Sequence, residues 1–218
     1  EENIMINKAL MIGAHYDDVE LGCGGTACRL VSEGKKVYKI TLTDNGFTDE
    51  NASYSISKDK TAESSHKICA FAGIEELTVS QSGYGRLAYG DGSLMHELET
   101  LIIKREIDTV FMHMSHDMHH DHIAAYDICK TASRHCRNVF MFQSNGYIKD
   151  RSFSPSLFVD ISAFADKKRE MLKIYEDDQK EQNNNGRLFD ICLKQNEIWG
   201  YGNGCAYAEG FEVLKALL

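Results

Sequence analysis

Two short stretches of this sequence hold most of the side chains that could bind a metal ion or move a proton. The first is His15-Tyr16-Asp17-Asp18. The second runs from His113 to His122 and holds five of the chain's nine histidines: His113, His116, His119, His120 and His122. Imidazole nitrogens and carboxylate oxygens are common donors to a catalytic zinc ion, which takes three protein ligands and keeps one position open for water. His15 and Asp18 are separated by two residues, so one tight turn can present both to a single ion. A third donor must come from elsewhere in the chain, and the histidine-rich stretch supplies it. An isolated His-x-x-Asp is common by chance, and a histidine-rich loop is often only a polar surface. Their meeting at one edge of a sheet is what would make them a site.

That meeting depends on the elements that carry them. Residues 8–14 (KALMIGA) are an apolar run read as a buried strand, and 37–43 (VYKITLT) are β-branched and read as the second. Further strands are expected at 108–113 (DTVFMH), 139–142 and 158–161, with a weak one at 77–80. Helical patterns run from the glycines at 22, 24 and 25 to about residue 33, and over 60–72, 94–105, 121–134 and 163–175. Polar or glycine-marked stretches at 44–59, 83–92 and 181–186 read as loops. The alternation of strand and helix predicts an α/β fold, Rossmann-like, with a mostly parallel sheet, helices on both faces and a single domain over residues 1–218. Ligands of such sheets bind beyond the carboxyl ends of the strands. The first cluster follows the strand at 8–14 and the second follows the strand at 108–113.

Gly22-Cys23-Gly24-Gly25 is not the dinucleotide fingerprint, and it comes several residues after its strand. Its expected role is close packing of a helix against the sheet. With 24 Lys and Arg against 33 Asp and Glu, net −9, no basic stripe exists for a nucleic-acid backbone or an anionic membrane. The seven cysteines are odd in number and none has CxxC spacing, as expected of reduced thiols in a cytoplasmic protein. The acidic opening Glu1-Glu2-Asn3 and the lack of a membrane-length apolar run point the same way.

Ala14-His15-Tyr16-Asp17-Asp18-Val19-Glu20-Leu21-Gly22 resembles the A-H-P-D-D-x-E-x-G signature of the PIG-L/LmbE zinc-dependent N-acetylglucosamine deacetylases. Asp117-Met118-His119-His120-Asp121-His122 resembles the family's second signature, D-x-H-P-D-H. Weaker matches are Gly24-Gly25-Thr26, Thr41-Leu42-Thr43, Phe158 to Ser162 and Tyr207-Ala208-Glu209-Gly210-Phe211, so the resemblance spans about residues 8–214. It implies one zinc ion per chain held by His15, Asp18 and His122, with Asp17 as general base on the attacking water. It implies His119 as the charged or acidic partner of the tetrahedral intermediate and Asp121 as a group that orients a histidine. Pairing with Asp121 or Asp117 would keep His119 cationic. The implied substrate is a small N-acetylated amino sugar or sugar conjugate, with oligomeric state left open.

Two departures stand out, Tyr16 and His120, each where the family has proline. Loss of proline is expected to loosen the turn and to let Tyr16 or His120 reach into the pocket. Arg86, Arg151 and Arg187 are loop cations whose simplest reading is solvated charge. Two rival functions are an oxidoreductase or transferase binding a nucleotide on the same topology, and a non-catalytic zinc- or sugar-binding protein. The absent G-x-G-x-x-G speaks against the first. Asp17 speaks against the second, because a binding site needs ligands but no base.

Overall fold

The computed structural model describes residues 4–48, 55–145, 152–178 and 185–217. In chain order the elements are β1 (Lys8–Gly13), α1 (Asp18–Ser32), β2 (Lys36–Thr41), β3 (Phe47–Thr48), β4 (Ser55–Ile56), α2 (Lys58–Ala72) and β5 (Glu75–Glu76). They continue with α3 (Gly92–Arg105), β6 (Thr109–His113), α4 (His120–Ala132), β7 (Asn138–Phe142) and β8 (Leu157–Asp160). The last are α5 (Ala165–Asp178), α6 (Asn185–Gly202) and β9 (Ala208–Lys215).

Seven strands form one sheet in the order β5-β2-β1-β6-β7-β9-β8, with β3 and β4 a separate antiparallel pair. The five strands from β5 to β7 run parallel, while β9 is antiparallel to both of its neighbours. The chain moves outward from β1 to β2 and β5, then returns to lay β6 on the other side of β1. That reversal makes the carboxyl ends of β1 and β6 the crevice in which a ligand binds.

Alternation along the strands sorts the core into two layers. Ala9, Met11, Phe111, Phe140 and Phe142 pack with residues of α1, α2, α5 and α6. Leu10, Ile12, Val110, Met112, Val139 and Met141 pack with those of α3 and α4. Burial on both faces is why these strands read as unbroken apolar runs. Ser57 caps α2 through its hydroxyl, and Asp91 accepts the Ser93 and Leu94 N–H groups to start α3.

Helix α1 starts at Asp18, earlier than its glycines suggest, and breaks at Cys23, where φ −147° and ψ 19° leave the helical region. The break frees the N–H groups of Gly25 and Thr26, and the buried Glu209 carboxylate on β9 accepts both, at 2.9 and 2.7 Å. Lys168 of α5, with no exposed surface, pairs with Glu209 at 2.6 Å and donates to the Leu21 carbonyl at 2.8 Å. The glycines allow the close approach. A Cβ at Gly22 would overlap the Phe142 ring, and one at Gly25 would stand 2.7 Å from Ile161.

Three features differ from expectation. The edge strand β5 lies at Glu75–Glu76, before the apolar residues at 77–80. The stretch after residue 186 carries two elements that were not anticipated, α6 and the antiparallel β9. Within the polar stretch at 44–59, β3 and β4 form a short antiparallel pair and α2 begins at Lys58, while residues 49–54, with most of the loop at 181–186, lie outside the described residues. Five of the seven cysteines are buried and all seven are free thiols, with Cys192 and Cys205 partly exposed. No helix of the described residues is long and apolar enough to cross a membrane.

Removing one partner of a buried ion pair strands the other charge and costs about 3–5 kcal/mol. Lys168→Met should lower unfolding free energy by that amount in a urea titration, and adding Glu209→Gln should recover part of it.

Candidate active site

The segment after β1 is fixed from below before any functional atom is placed. Lys39 sits in β2 with no exposed surface. Its ammonium donates to the Tyr16 carbonyl at 2.8 Å, Glu20 Oε1 at 2.7 Å and Ser65 Oγ at 3.0 Å. Tyr175 of α5 donates to the same Tyr16 carbonyl at 2.5 Å. Tyr16 also uses the N–H that a proline would lack, donating it to Asn45 Oδ1 at 3.3 Å. Its hydroxyl accepts from Gln81 Nε2 at 3.1 Å. The turn is therefore held by more hydrogen bonds than a proline would permit, and Tyr16 is buried away from the pocket. His120 is exposed, with its ring 5.9 Å from that of Tyr89. Neither residue reaches inward.

On this base Asp18, the first residue of α1, turns its carboxylate back to the His15 N–H at 2.7 Å. His119 is the N-cap of α4, its Nδ1 accepting the Asp121 N–H at 3.2 Å, and the first turn of that helix carries Asp121 and His122. The two turns meet across the crevice. His15 Nδ1 lies 3.1 Å from His122 Nε2 and 3.4 Å from Asp18 Oδ2, and His122 Nε2 lies 3.3 Å from Asp18 Oδ1. Donors bound tetrahedrally to zinc at ~2.0–2.1 Å stand about 3.3 Å apart, and each pair in this trio is near that spacing, with Asp18 turning a different oxygen to each histidine. Among the described residues, two groupings that could hold a metal ion share His122: one adds His15 and His119, the other Asp18 and His113, the donor atoms in each lying within 4.8 Å of one another.

Each of these donors has a second contact that orients it. His15 Nε2 meets Asp121 Oδ2 at 3.0 Å, and the Asp121 carboxylate also accepts the N–H groups of Gly85 at 2.6 Å and Leu87 at 3.0 Å. His122 Nδ1 meets Asp117 Oδ2 at 3.1 Å, and Asn145 Nδ2 donates to both Asp117 oxygens at 3.0 Å. Asp18 Oδ1 accepts from Ser144 Oγ at 2.7 Å, and its Oδ2 lies 3.1 Å from Nε2 of the fully buried His113. Ser144 and Asn145 follow β7, whose carboxyl end borders the same crevice. The rule that points to strand ends could have found them.

Burial would suppress ionisation throughout this cluster, and the neighbours decide the outcome. For His122 the Asp18 and Asp117 carboxylates outweigh burial and lift its pKa to about 10. His119 goes the other way, pushed down to about 4 by burial and by His15 and His122. Asp117 and Asp121 turn carboxylate oxygens to His122 and His15, the two neighbours that push His119 down. Asp17 is partly exposed, caps nothing with its side chain and belongs to neither donor grouping. Burial and the adjacent Asp18 charge raise its pKa. Arg86 is exposed, whereas Arg151 and the Arg187 side chain lie outside the described residues.

Residues 10–133 match the GlcNAc-PI de-N-acetylase family, PIG-L, over more than half of the 218 residues. The chain belongs to that family. Within PIG-L relatives it is similar to the uncharacterized deacetylase YaiS of Escherichia coli K12, 27% identical over 157 residues that cover 70% of this chain and 80% of that one. Among solved structures it resembles the N,N'-diacetylchitobiose deacetylase from Pyrococcus horikoshii, with TM-score 0.77 and 18% identity over 96% of this chain and 84% of that one. It resembles equally GalB, the 4-carboxy-2-hydroxymuconate hydratase from Pseudomonas putida KT2440, with TM-score 0.79 and 16% identity over 98% of each chain. At these identities the two structures establish the fold, and the reaction must be argued from the site.

Groups that orient metal-binding histidines typically contribute 10–100-fold to metal affinity. Asp121→Asn should weaken zinc binding by about that factor in a chelator competition, because His15 loses its carboxylate.

Proposed function

We propose that this PIG-L chain is a zinc-dependent hydrolase that removes an N-acyl group, most simply acetyl, from an amino sugar or sugar conjugate. The observation that carries this reading is the meeting of His15 Nδ1 and His122 Nε2 at 3.1 Å, each within 3.4 Å of one oxygen of Asp18, with Asp17 next to Asp18 in the chain. The trio would hold one ion per chain. Zinc held there would lower the pKa of a coordinated water toward ~7 and would polarise the acyl oxygen.

The chain's own residues do the rest. Asp17 takes a proton from the attacking water, a task its raised pKa suits. The water oxygen bonds to the acyl carbon and the carbonyl electron pair moves onto the acyl oxygen. His119 is neutral, and its Nδ1 accepts the Asp121 N–H, so its hydrogen sits on Nε2, where it can serve that oxygen. Asp17 then returns its proton to the nitrogen as the C–N bond breaks, releasing a free amine and a carboxylic acid that keeps the water's other hydrogen until it ionises. Asp121 and Asp117 take no part in proton transfer and hold His15 and His122 in place. A hydratase on the same fold would also activate water, and the match to a de-N-acetylase family over residues 10–133 favours the amide.

Zinc-loaded protein should release acetate from at least one member of a panel of N-acetylated sugars presented free, nucleotide-linked and thiol-conjugated. On that substrate Asp17→Asn should keep its zinc and lose at least ~100-fold in turnover, the lower end of a general-base contribution. Near-normal turnover in a zinc-replete Asp17→Asn protein would assign the base elsewhere.

A further inference from the structure

A groove at the far end of the sheet from the histidine cluster takes no part in the chemistry above. It opens between the second half of α1, the segment that leads into β1, and the edge strand β8. Ile6 and Lys35 stand just before β1 and β2, so the groove lies at the amino ends of the parallel strands. The His15–Asp18–His122 trio lies at their carboxyl ends. A six-residue strand such as β1 separates the two ends by about 20 Å.

The cavity measures about 660 Å³, within the range of small-molecule sites. Its walls come from Ile6, Leu30, Leu157 and Val159, and its base reaches Phe111 and Phe140. Ile6, Leu157 and Val159 pack against the core yet keep part of their surface open. Scattered apolar side chains at a surface need no explanation, whereas a concave group of them marks a place where apolar matter binds.

The rim is polar. Arg29 is fully engaged there, its Nε meeting Glu33 Oε1 at 2.8 Å and its Nη1 donating to the Asp160 carbonyl at 2.9 Å. Lys35 is half-buried at the same rim, and among the described residues no hydrogen bond or ion pair holds its ammonium. Arg29 and Glu33 cancel, so Lys35 leaves the rim at +1 on a chain whose net charge is −9.

Apolar walls beneath one unpaired ammonium complement a molecule with a hydrocarbon body and a single anionic end. A fatty carboxylate has that shape and that charge. A protein surface fits less well. Lysine is depleted from protein interfaces, and β8 is guarded against pairing with another chain by Pro155 shortly before it and the exposed Asp160 at its end.

We propose that this groove is a second ligand site, taking one medium-chain fatty carboxylate with its tail over Leu157 and Val159 and its carboxylate on Lys35. The site needs no metal and does not depend on the deacetylase reading.

The test is titration calorimetry of the full chain with octanoate, decanoate and dodecanoate, each below its micelle concentration. Binding should saturate at one molecule per chain and tighten about tenfold for each two methylenes added. Lys35→Met keeps the aliphatic stem and removes the charge. It should weaken dodecanoate binding by about tenfold or more, the range of a hydrogen bond to a charged group. Leu157→Asp should abolish binding, with circular dichroism reporting that the fold is kept, and both variants should take up zinc as wild type does. Wild-type protein with no saturable binding overturns the proposal, and so does an affinity indifferent to chain length or to the loss of Lys35. A dimer that Leu157→Asp disperses in sedimentation, without any dodecanoate binding, gives the groove to a second copy and overturns the proposal too. Flotation with phosphatidylglycerol vesicles in the absence of dodecanoate binding gives it to a membrane surface, with the same consequence.

Discussion

Everything at the site depends on how firmly the seven or so residues after β1 are held, and two buried lysines hold them. Lys39 grips the Tyr16 carbonyl and Glu20 from β2, and Lys168 grips the Leu21 carbonyl from α5. A buried ammonium is tolerated only where its charge and hydrogens are all matched. Each lysine therefore specifies one geometry of the backbone it touches. Between these two grips lie Asp17 and Asp18, the residues whose carboxylates must be placed to within a fraction of an ångström. The first turn of α1 is also cut from the rest of the helix at Cys23, so it does not inherit its position from helix packing alone. Ionic contacts fix it instead.

The break at Cys23 ties the start of the chain to its end. A helix interrupted in the core exposes N–H groups that cannot be left unpaired. Glu209, on the last strand, accepts two of them and is itself neutralised by Lys168. The antiparallel β9 is thus more than an added edge. It delivers a carboxylate to the middle of α1, and α5 delivers the balancing cation. Residues from near both ends of the sequence must assemble before the His15 turn has its final shape.

This division explains what could be read from the sequence. The parallel strands were legible because burial on both faces makes them continuous apolar runs, as at Leu10 to Ile12 and Val110 to Met112. The two site turns were legible because each keeps its functional residues within a few positions along the chain. β9 was not, because Glu209 and Glu212 occupy buried positions and break the hydrophobic pattern. Lys39 reads as the solvated side of a strand until Glu20, 19 residues away in sequence, is known to face it. Tyr84 carries no signal either, since its hydroxyl meets a ring nitrogen 35 residues further along. Contacts across elements decide all three, and spacing within one element cannot show them. The same holds for Tyr16. Judged along the chain it is a lost proline, but Asn45 and Gln81 turn it into a better-anchored residue.

Four carboxylates crowd this crevice, and their environments separate one from the other three. Burial alone would raise the pKa of every one. Asp18 accepts the His15 N–H and the Ser144 hydroxyl and lies beside His113 and His122, and it is held well below its ordinary value. Asp117 is lowered by His122, the His119 N–H and Asn145, and Asp121 by His15 and the N–H groups of Gly85 and Leu87. A carboxylate saturated with donors is stable as an anion and has little basicity left, which suits a ligand or an orienting group. Asp17 receives no such set, sits in the field of Asp18, and moves upward. Where neighbouring carboxyls are pushed apart in this way, the separation is the usual guide to acid–base roles. The adjacent pair Asp17-Asp18 is thus pushed in opposite directions, although the two differ by a single step along the chain.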